Sequence, residues 1–334
     1  MKNKNSNHIL DLQQRIKDSL SPLIDDDFML LDIPNHRNIG DSLIWKGELI
    51  YFSTLNYKCL SQFNRYTFKN EYITSAQTPI LLHGGGNFGD IYSSSQKFKL
   101  EIIKRFPDNK IIILPQTVHY KDLRRRDSDL NLMNSHKKLY ICVRDTNSYN
   151  IIAEKFDVSR LLLLPDMAFF LNLDQHIVGR GINKYLYLDR TDAESIERLS
   201  KSQLEKYGII EGIDIKDWPT YNSSPIKLFN IACNYIEAFE GKVTLKLKNI
   251  PLFNLLIHDA YGLKKRGRMD SLIRTGIDFL NSYDTILTTR LHGLILSILL
   301  NKEVLIIDNS YGKSENFYNT WLRDFSDVKL CIHD

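Results

Sequence analysis

Residues 284–308 read DTILTTRLHGLILSILLNKEVLIID. A short apolar run enters Thr289-Arg290-Leu291-His292-Gly293, a strongly apolar helical run follows, and VLIID (304–308) closes the unit as a second strand. Short, fully apolar strands joined through a helix are the pattern of a parallel sheet covered on both faces.

The same grammar recurs upstream. Residues 9–20 carry apolar positions at helical spacing. FMLLDIP (28–34) is a strand stopped by Pro34, and Asn38-Ile39-Gly40-Asp41 then leads into the helical pattern of 42–52. PILLHGGGNFGD (79–90) predicts a strand over Ile80–His83, a glycine turn, and a helix from about Ile91. KIIILPQT (110–117), LYICVRD (139–145) and RLLLLPDMAFFL (160–171) add three strands, with helices over 97–106 and 148–156 between them. The polar stretch 172–183, with Gly179 and Gly181, reads as a linker. KYLYLDR (184–190) opens a second series, with helices expected over 191–207, 226–239 and 250–265, a strand over 241–248, and an irregular 208–227 containing Trp218-Pro219. The expectation is an α/β fold of two Rossmann-like domains, 1–178 and 179–334, facing a cleft. Such sheets bind ligands beyond the carboxyl ends of their strands.

Bulk composition narrows the class. Hydrophobic residues make up 43% and charged residues 25%, too apolar for a disordered chain. A net charge of +4 is too small to argue for nucleic acid, yet leaves room for a basic pocket facing a small anion. The four cysteines are scattered, with no CxxC pair, which predicts a reduced, cytoplasmic chain without a disulfide framework or zinc site. The first twenty residues lack a signal-peptide apolar core. The apolar run 294–300 is too short to span a bilayer, so contact with a membrane would be peripheral. No metal-binding motif stands out.

Most chemistry-bearing residues fall at strand ends. Three consecutive glycines, Gly84, Gly85 and Gly86, allow a ligand close to the backbone, with Asn87 and Asp90 beside them; a packed turn is the bland alternative. Asp41 either caps its helix or binds a sugar hydroxyl. Arg144 brings a planar guanidinium suited to phosphate or carboxylate, and Asp145 is the neighbour that could orient it. Arg290 and His292 are two apart, and an extended backbone would point both the same way. A fixed cation beside an imidazole suits acid–base chemistry on an anionic substrate. Arg190 and Lys313 are further strand-end cations, each of which could equally be an ordinary surface charge.

Taken in order, NIGD (38–41), GGGNFGD (84–90), LPQT (114–117), VRDTNS (143–148), LPD (164–166), TTRLHGL (288–294) and the later Lys313 resemble the polysaccharide pyruvyl transferase family. The likeness runs from about residue 35 to about 320; it departs after LPQT, where Val118 and His119 replace a glycine frequent in relatives, and it has no motif over 190–275. The resemblance implies a GT-B-like fold and phosphoenolpyruvate as donor substrate, with no cofactor. It implies transfer of pyruvate as a ketal onto a sugar acceptor, lipid-linked oligosaccharides included. By the same resemblance Arg290, His292 and Arg144 are the catalytic set, and Lys313, Gly84–Gly86, Gly40 and Asp41 bind substrate. Two other readings stand beside it. A GT-B nucleotide-sugar glycosyltransferase would need a base pocket in the second half. A glycan-binding protein without activity would have no need to keep Arg290-Leu291-His292.

Overall fold

The computed structural model describes residues 2–179, 181–190, 198–209, 211–222, 268–308 and 312–331. The helices expected over 226–239 and 250–265 and the strand over 241–248 lie outside the described residues, as do residues 191–197 of the helix expected over 191–207; of its described part, Lys201–Lys206 is helical.

The chain forms two parallel sheets in a mixed α/β fold of Rossmann-like type. The first contains β1 (Phe28–Leu31), β2 (Cys59–Phe63), β3 (Ile80–Leu82), β4 (Gly85–Gly89), β5 (Ile111–His119), β6 (Leu139–Val143) and β7 (Leu161–Leu163), in the order β2-β1-β3-β5-β6-β7 with β4 on β5. The second contains β8 (Asn183–Leu188), β9 (Ile213–Lys216), β10 (Tyr283–Thr288), β11 (Glu303–Ile307) and β12 (Val328–Cys331), in the order β12-β11-β10-β8-β9. Central strands β1, β3 and β5 are buried along nearly their whole length, which explains why β1, β3 and the first four residues of β5 read as unbroken apolar runs.

Two local expectations are corrected. The glycine stretch is a strand, not a turn into a helix: Gly85 pairs with Gln116, Phe88 with Val118 and Gly89 with His119. The reason is length. β5 runs for 9 residues while β3 has 3, so the outer half of β5 leaves backbone groups that β4 satisfies. Gly85 (φ +125°) and Gly89 (φ +117°) take conformations that side chains disfavour, and a Cβ on Gly89 would stand 1.8 Å from the His119 carbonyl oxygen. Secondly, the backbone is not extended through His292: β10 ends at Thr288, and Leu291 and His292 already lie in a helix. Arg290 is the N-cap of the helix Leu291–Leu299, so it is the strand-to-helix corner that sets its direction relative to His292. β2 had no counterpart in the sequence reading, its residues being only partly buried.

One hydrophobic cluster joins the two sheets. Helix α1 (Ser6–Leu20), helix α2 (Ile39–Phe52) and the helix Leu291–Leu299 all contribute to it. α2 is buried on almost every side, which is why its sequence shows little amphipathic contrast. Gly47 permits the closest contact, since a Cβ there would meet the Met167 carbonyl at 2.0 Å. Every residue of Leu291–Leu299 is buried except His292. The packing of this helix against α2 brings the ends of both sheets to one cavity.

Candidate active site

The cavity has a volume of about 410 Å³ and is walled by residues of both halves of the chain. From the first half come Gly40, Asp41, Gly86, Asn87 and Arg144; from the second, Arg190, Arg290, His292 and Lys313. Nine of the twelve residues singled out in the sequence therefore meet at one place. Gly84 and Gly85 stand behind the wall, where the Gly84 N–H donates to Glu48 Oε1 at 2.9 Å. Asp90 is not at the cavity: its Oδ2 accepts the Lys121 and Asp122 N–H groups at 2.7 and 2.8 Å and so fixes the chain after β5.

Arg144 is completely buried at the end of β6. Its Nη1 donates to Asp166 Oδ2 and its Nε to Thr117 Oγ1 at 2.9 Å, while among the described residues Nη2 has no hydrogen-bond partner. The sequence neighbour Asp145 does not orient it. Asp145 instead caps the helix Thr146–Ala153, accepting the Ser148 N–H at 2.7 Å and its hydroxyl at 2.9 Å. This is what an aspartate at an N-cap does. The partner that matters, Asp166, lies beyond β7 and also accepts the Ala168 N–H at 2.8 Å. Burial drives the Asp166 carboxyl up, but the Arg144 charge, together with His292 and the Ala168 amide, outweighs it and holds the carboxyl far below the usual carboxylate range.

His292 Nε2 stands 3.5 Å from Asp166 Oδ2, a distance for charge interaction and not for a good hydrogen bond, and among the described residues Nε2 has no other partner. Burial pushes the imidazole pKa down from 6.5, with Arg144 adding to the shift and Asp166 and Asp41 opposing it. The ring is therefore neutral at neutral pH. Arg290 is held differently. Its Nε and Nη2 each donate to the Asp217 carboxylate at 2.6 Å, a two-pronged pair that fixes the guanidinium plane.

Gly86 is where two cations converge. A Cβ there would lie 2.9 Å from Lys313 Nζ and 3.4 Å from Arg144 Nη2. The missing side chain lets both approach the same patch of β4. Asp41 does not cap α2; Asn38 does, accepting the Gly40 N–H at 2.8 Å. Asp41 is instead 2.5 Å from His36 Nε2. Burial raises the Asp41 carboxyl, but His36, with smaller contributions from His292 and His83, keeps it well below the ordinary range.

Asp166, Asp217, His36, Arg65, Tyr66 and Trp218 were not assigned from the sequence. Asp166 carried a signal, since it ends the LPD motif; Asp217 and Trp218 lay in a stretch with no readable pattern. Among the described residues no group of three or more His, Cys, Asp or Glu side chains is placed to hold a metal ion. Among them, too, no helix is long and apolar enough to cross a membrane.

Comparison with known proteins gives the family and supports the fold. The family model for polysaccharide pyruvyl transferase matches residues 38–311. A Bacillus subtilis (strain 168) protein named "Putative pyruvyl transferase EpsO" is 30% identical over 327 residues, covering 95% of this chain and 94% of that one. Pyruvyl transferase 1 of Schizosaccharomyces pombe is 25% identical, covering 88% of this chain and 69% of its own. The crystal structure of a functionally uncharacterised protein from Klebsiella pneumoniae subsp. pneumoniae superposes with a TM-score of 0.58 at 20% identity over the full length of both chains, which supports the fold. With the family match spanning most of the chain, and all the cavity residues but Asn35, His36 and Lys313, this protein belongs to the polysaccharide pyruvyl transferase family.

Proposed function

We propose that the protein transfers the pyruvyl group of phosphoenolpyruvate to two hydroxyls of one sugar residue, forming a cyclic ketal in a cell-surface polysaccharide. The observation that carries this reading is the buried Arg144 Nη2, without a partner among the described residues, beside Lys313 across Gly86. An unsatisfied, fully charged donor in a closed wall is costly unless an anion completes it. The donor has a phosphate and a carboxylate; Arg290, with its guanidinium plane fixed by Asp217, supplies a second planar fork. The GT-B-like arrangement of two Rossmann-like halves, 1–178 and 179–334, is part of the same reading, and a cavity walled by both halves supports it.

The chemistry needs one proton on carbon and two taken from oxygen. A proton adds to the methylene carbon of the donor, and the central carbon becomes electrophilic. The first sugar hydroxyl bonds to that carbon and loses its proton, the carbon–oxygen bond to phosphate breaks, and the second hydroxyl closes the ring with loss of its own proton. Of the two hydroxyl protons, one balances the proton on carbon and the other leaves with phosphate. The neutral His292 is suited to accept a hydroxyl proton, and the resulting imidazolium would face Asp166 at 3.5 Å. Arg144 and Lys313 stabilise the departing phosphate.

The test is phosphate release from phosphoenolpyruvate with a panel of sugar acceptors, the ketal carbon being located by NMR. Binding of a nucleotide sugar with no response to phosphoenolpyruvate would overturn this reading.

A further inference from the structure

One buried ion pair stands directly behind the cavity wall and takes no part in the chemistry above. Lys99, on the helix Ser93–Arg105, is wholly buried, and its Nζ lies 3.3 Å from Asp32 Oδ2 and 2.5 Å from Asn87 Oδ1. Asp32 follows β1 with φ 63°, a conformation that few residues other than Asp, Asn and Gly adopt readily. Asn87 lines the cavity next to Gly86. An ammonium has three donors and no acceptor, so only the oxygen of the Asn87 carboxamide can face it. Nδ2 must then point the other way, and among the described residues it has no acceptor.

Burying a lysine is expensive, and a pair that served stability alone could be replaced by apolar side chains at little cost. What the pair does here is remove the twofold ambiguity of an amide. The backbone of Asn87 is tied too: its N–H donates to Gln116 Oε1 at 3.3 Å, and Gln116 Nε2 donates to the His83 carbonyl at 2.7 Å. Two successive amides on adjacent strands thus have assigned directions.

We propose that Lys99 and Asp32 are positioning residues for the donor site: they hold the Asn87 carboxamide so that its NH2 group faces the cavity and hydrogen-bonds an oxygen of the anion gathered by Arg144 and Lys313. This rests on the donor reading given above. It adds an uncharged, directional donor to a site otherwise built of cations, and it makes Lys99 important to binding although it never touches substrate.

The experiment is a double-mutant cycle on the full chain, read as the dissociation constant for phosphoenolpyruvate by calorimetry, with inorganic phosphate as a second probe. Asn87→Ala is expected to weaken phosphoenolpyruvate binding about tenfold, the scale of one hydrogen bond to a charged group. Lys99→Met weakens it by a similar factor in the wild-type background and by no more than about twofold when Asn87 is already Ala, within the error of such cycles. The KM for phosphoenolpyruvate rises while kcat at saturating donor is held, which a general loosening of the fold would not produce. Because Lys99→Met strands the Asp32 carboxylate, the cycle is repeated with Lys99→Met/Asp32→Asn, and folding is checked by near-UV circular dichroism. Equal losses from the lysine change with and without Asn87 would overturn the positioning role and leave the donor reading intact. Failure of the wild type to bind either anion would overturn the donor reading itself, and this inference with it.

Discussion

Gly40 sits so close to His292 that a Cβ placed on it would stand 2.4 Å from the imidazole Nδ1 and 2.8 Å from Cγ. The first turn of α2 is thus a wall of the pocket that holds His292, and the clash reaches the base of the ring, where a rotamer change gives no relief. Gly40→Ala should cost stability through overpacking, about 1–3 kcal/mol, and turnover should fall about 100-fold as the ring is displaced. A thermal melt alongside phosphate-release kinetics checks both halves; unchanged turnover would remove this contact from the mechanism.

His292 is neutral because burial depresses its pKa below 6.5. If it accepts a hydroxyl proton, turnover holds as pH falls through 6.5 and its acid limb appears only lower. Stability follows the same sign: the unfolded chain binds this proton first, so the folded state loses stability as pH drops from 6.5 through the folded pKa. His292→Gln should lower kcat about 100- to 10,000-fold, keep donor affinity, and blunt the acid loss of stability. An acid limb at or above 6.5 assigned to this residue by NMR titration would contradict the base role.

Asp166 serves Arg144 and His292 together. Asp166→Ala leaves a completely buried guanidinium without its counter-charge, and about 3–5 kcal/mol of stability should be lost in urea unfolding. Arg144→Met/Asp166→Leu should recover much of that stability while abolishing donor binding. A stable Asp166→Ala protein would mean that the pair matters less than its burial indicates.

Asp217 holds Arg290 by both oxygens at 2.6 Å. Asp217→Asn retains one acceptor but not the charge or the fork, and donor affinity should fall about tenfold. Arg290→Lys should not restore it, because an ammonium cannot make the planar pair. Calorimetric titration of both variants with phosphoenolpyruvate decides the matter.

A second buried pair has the opposite pH signature. His83 Nδ1 lies 2.7 Å from Glu48 Oε2. Burial works against its charge, but Glu48, with Asp41 and Asp32 behind it, raises its pKa above 6.5. The stability it contributes is complete below 6.5 and is lost as pH rises through the folded value. Glu48→Gln should flatten that alkaline loss while lowering stability at pH 6; equal pH slopes for variant and wild type would count against the ion pair.

The first five apolar strands and the parallel character of both sheets were legible because they depend on local facts. A strand buried on both faces reads as a near-continuous apolar run; in β5 the interruption by Pro115, Gln116 and Thr117 comes only after Ile111–Leu114, where its pairing with β6 shifts register. Leu291–Leu299 was equally plain. β2 was not, because its edge position leaves it half-buried and its composition mixed. The glycine stretch was misread for a different reason: whether Gly85–Gly89 turns or pairs depends on how far β5 extends, and no residue of the stretch itself records that.

For the site, the sequence by itself determined which side chains carry charge or take up a proton close to the ends of strands: Arg144, Arg290 and Lys313 for charge, His292 for the proton. It could not determine partners. Asp145 is next to Arg144 in the chain yet caps a helix, while Asp166, 22 residues on, takes the guanidinium. Asp217 reaches Arg290 across 73 residues because β9 and β10 flank β8. Local sequence sets backbone conformation and side-chain chemistry through short-range sterics and periodicity. Which groups meet is decided by strand order and helix packing, and those are properties of the whole chain's lowest free energy, not of any segment of it.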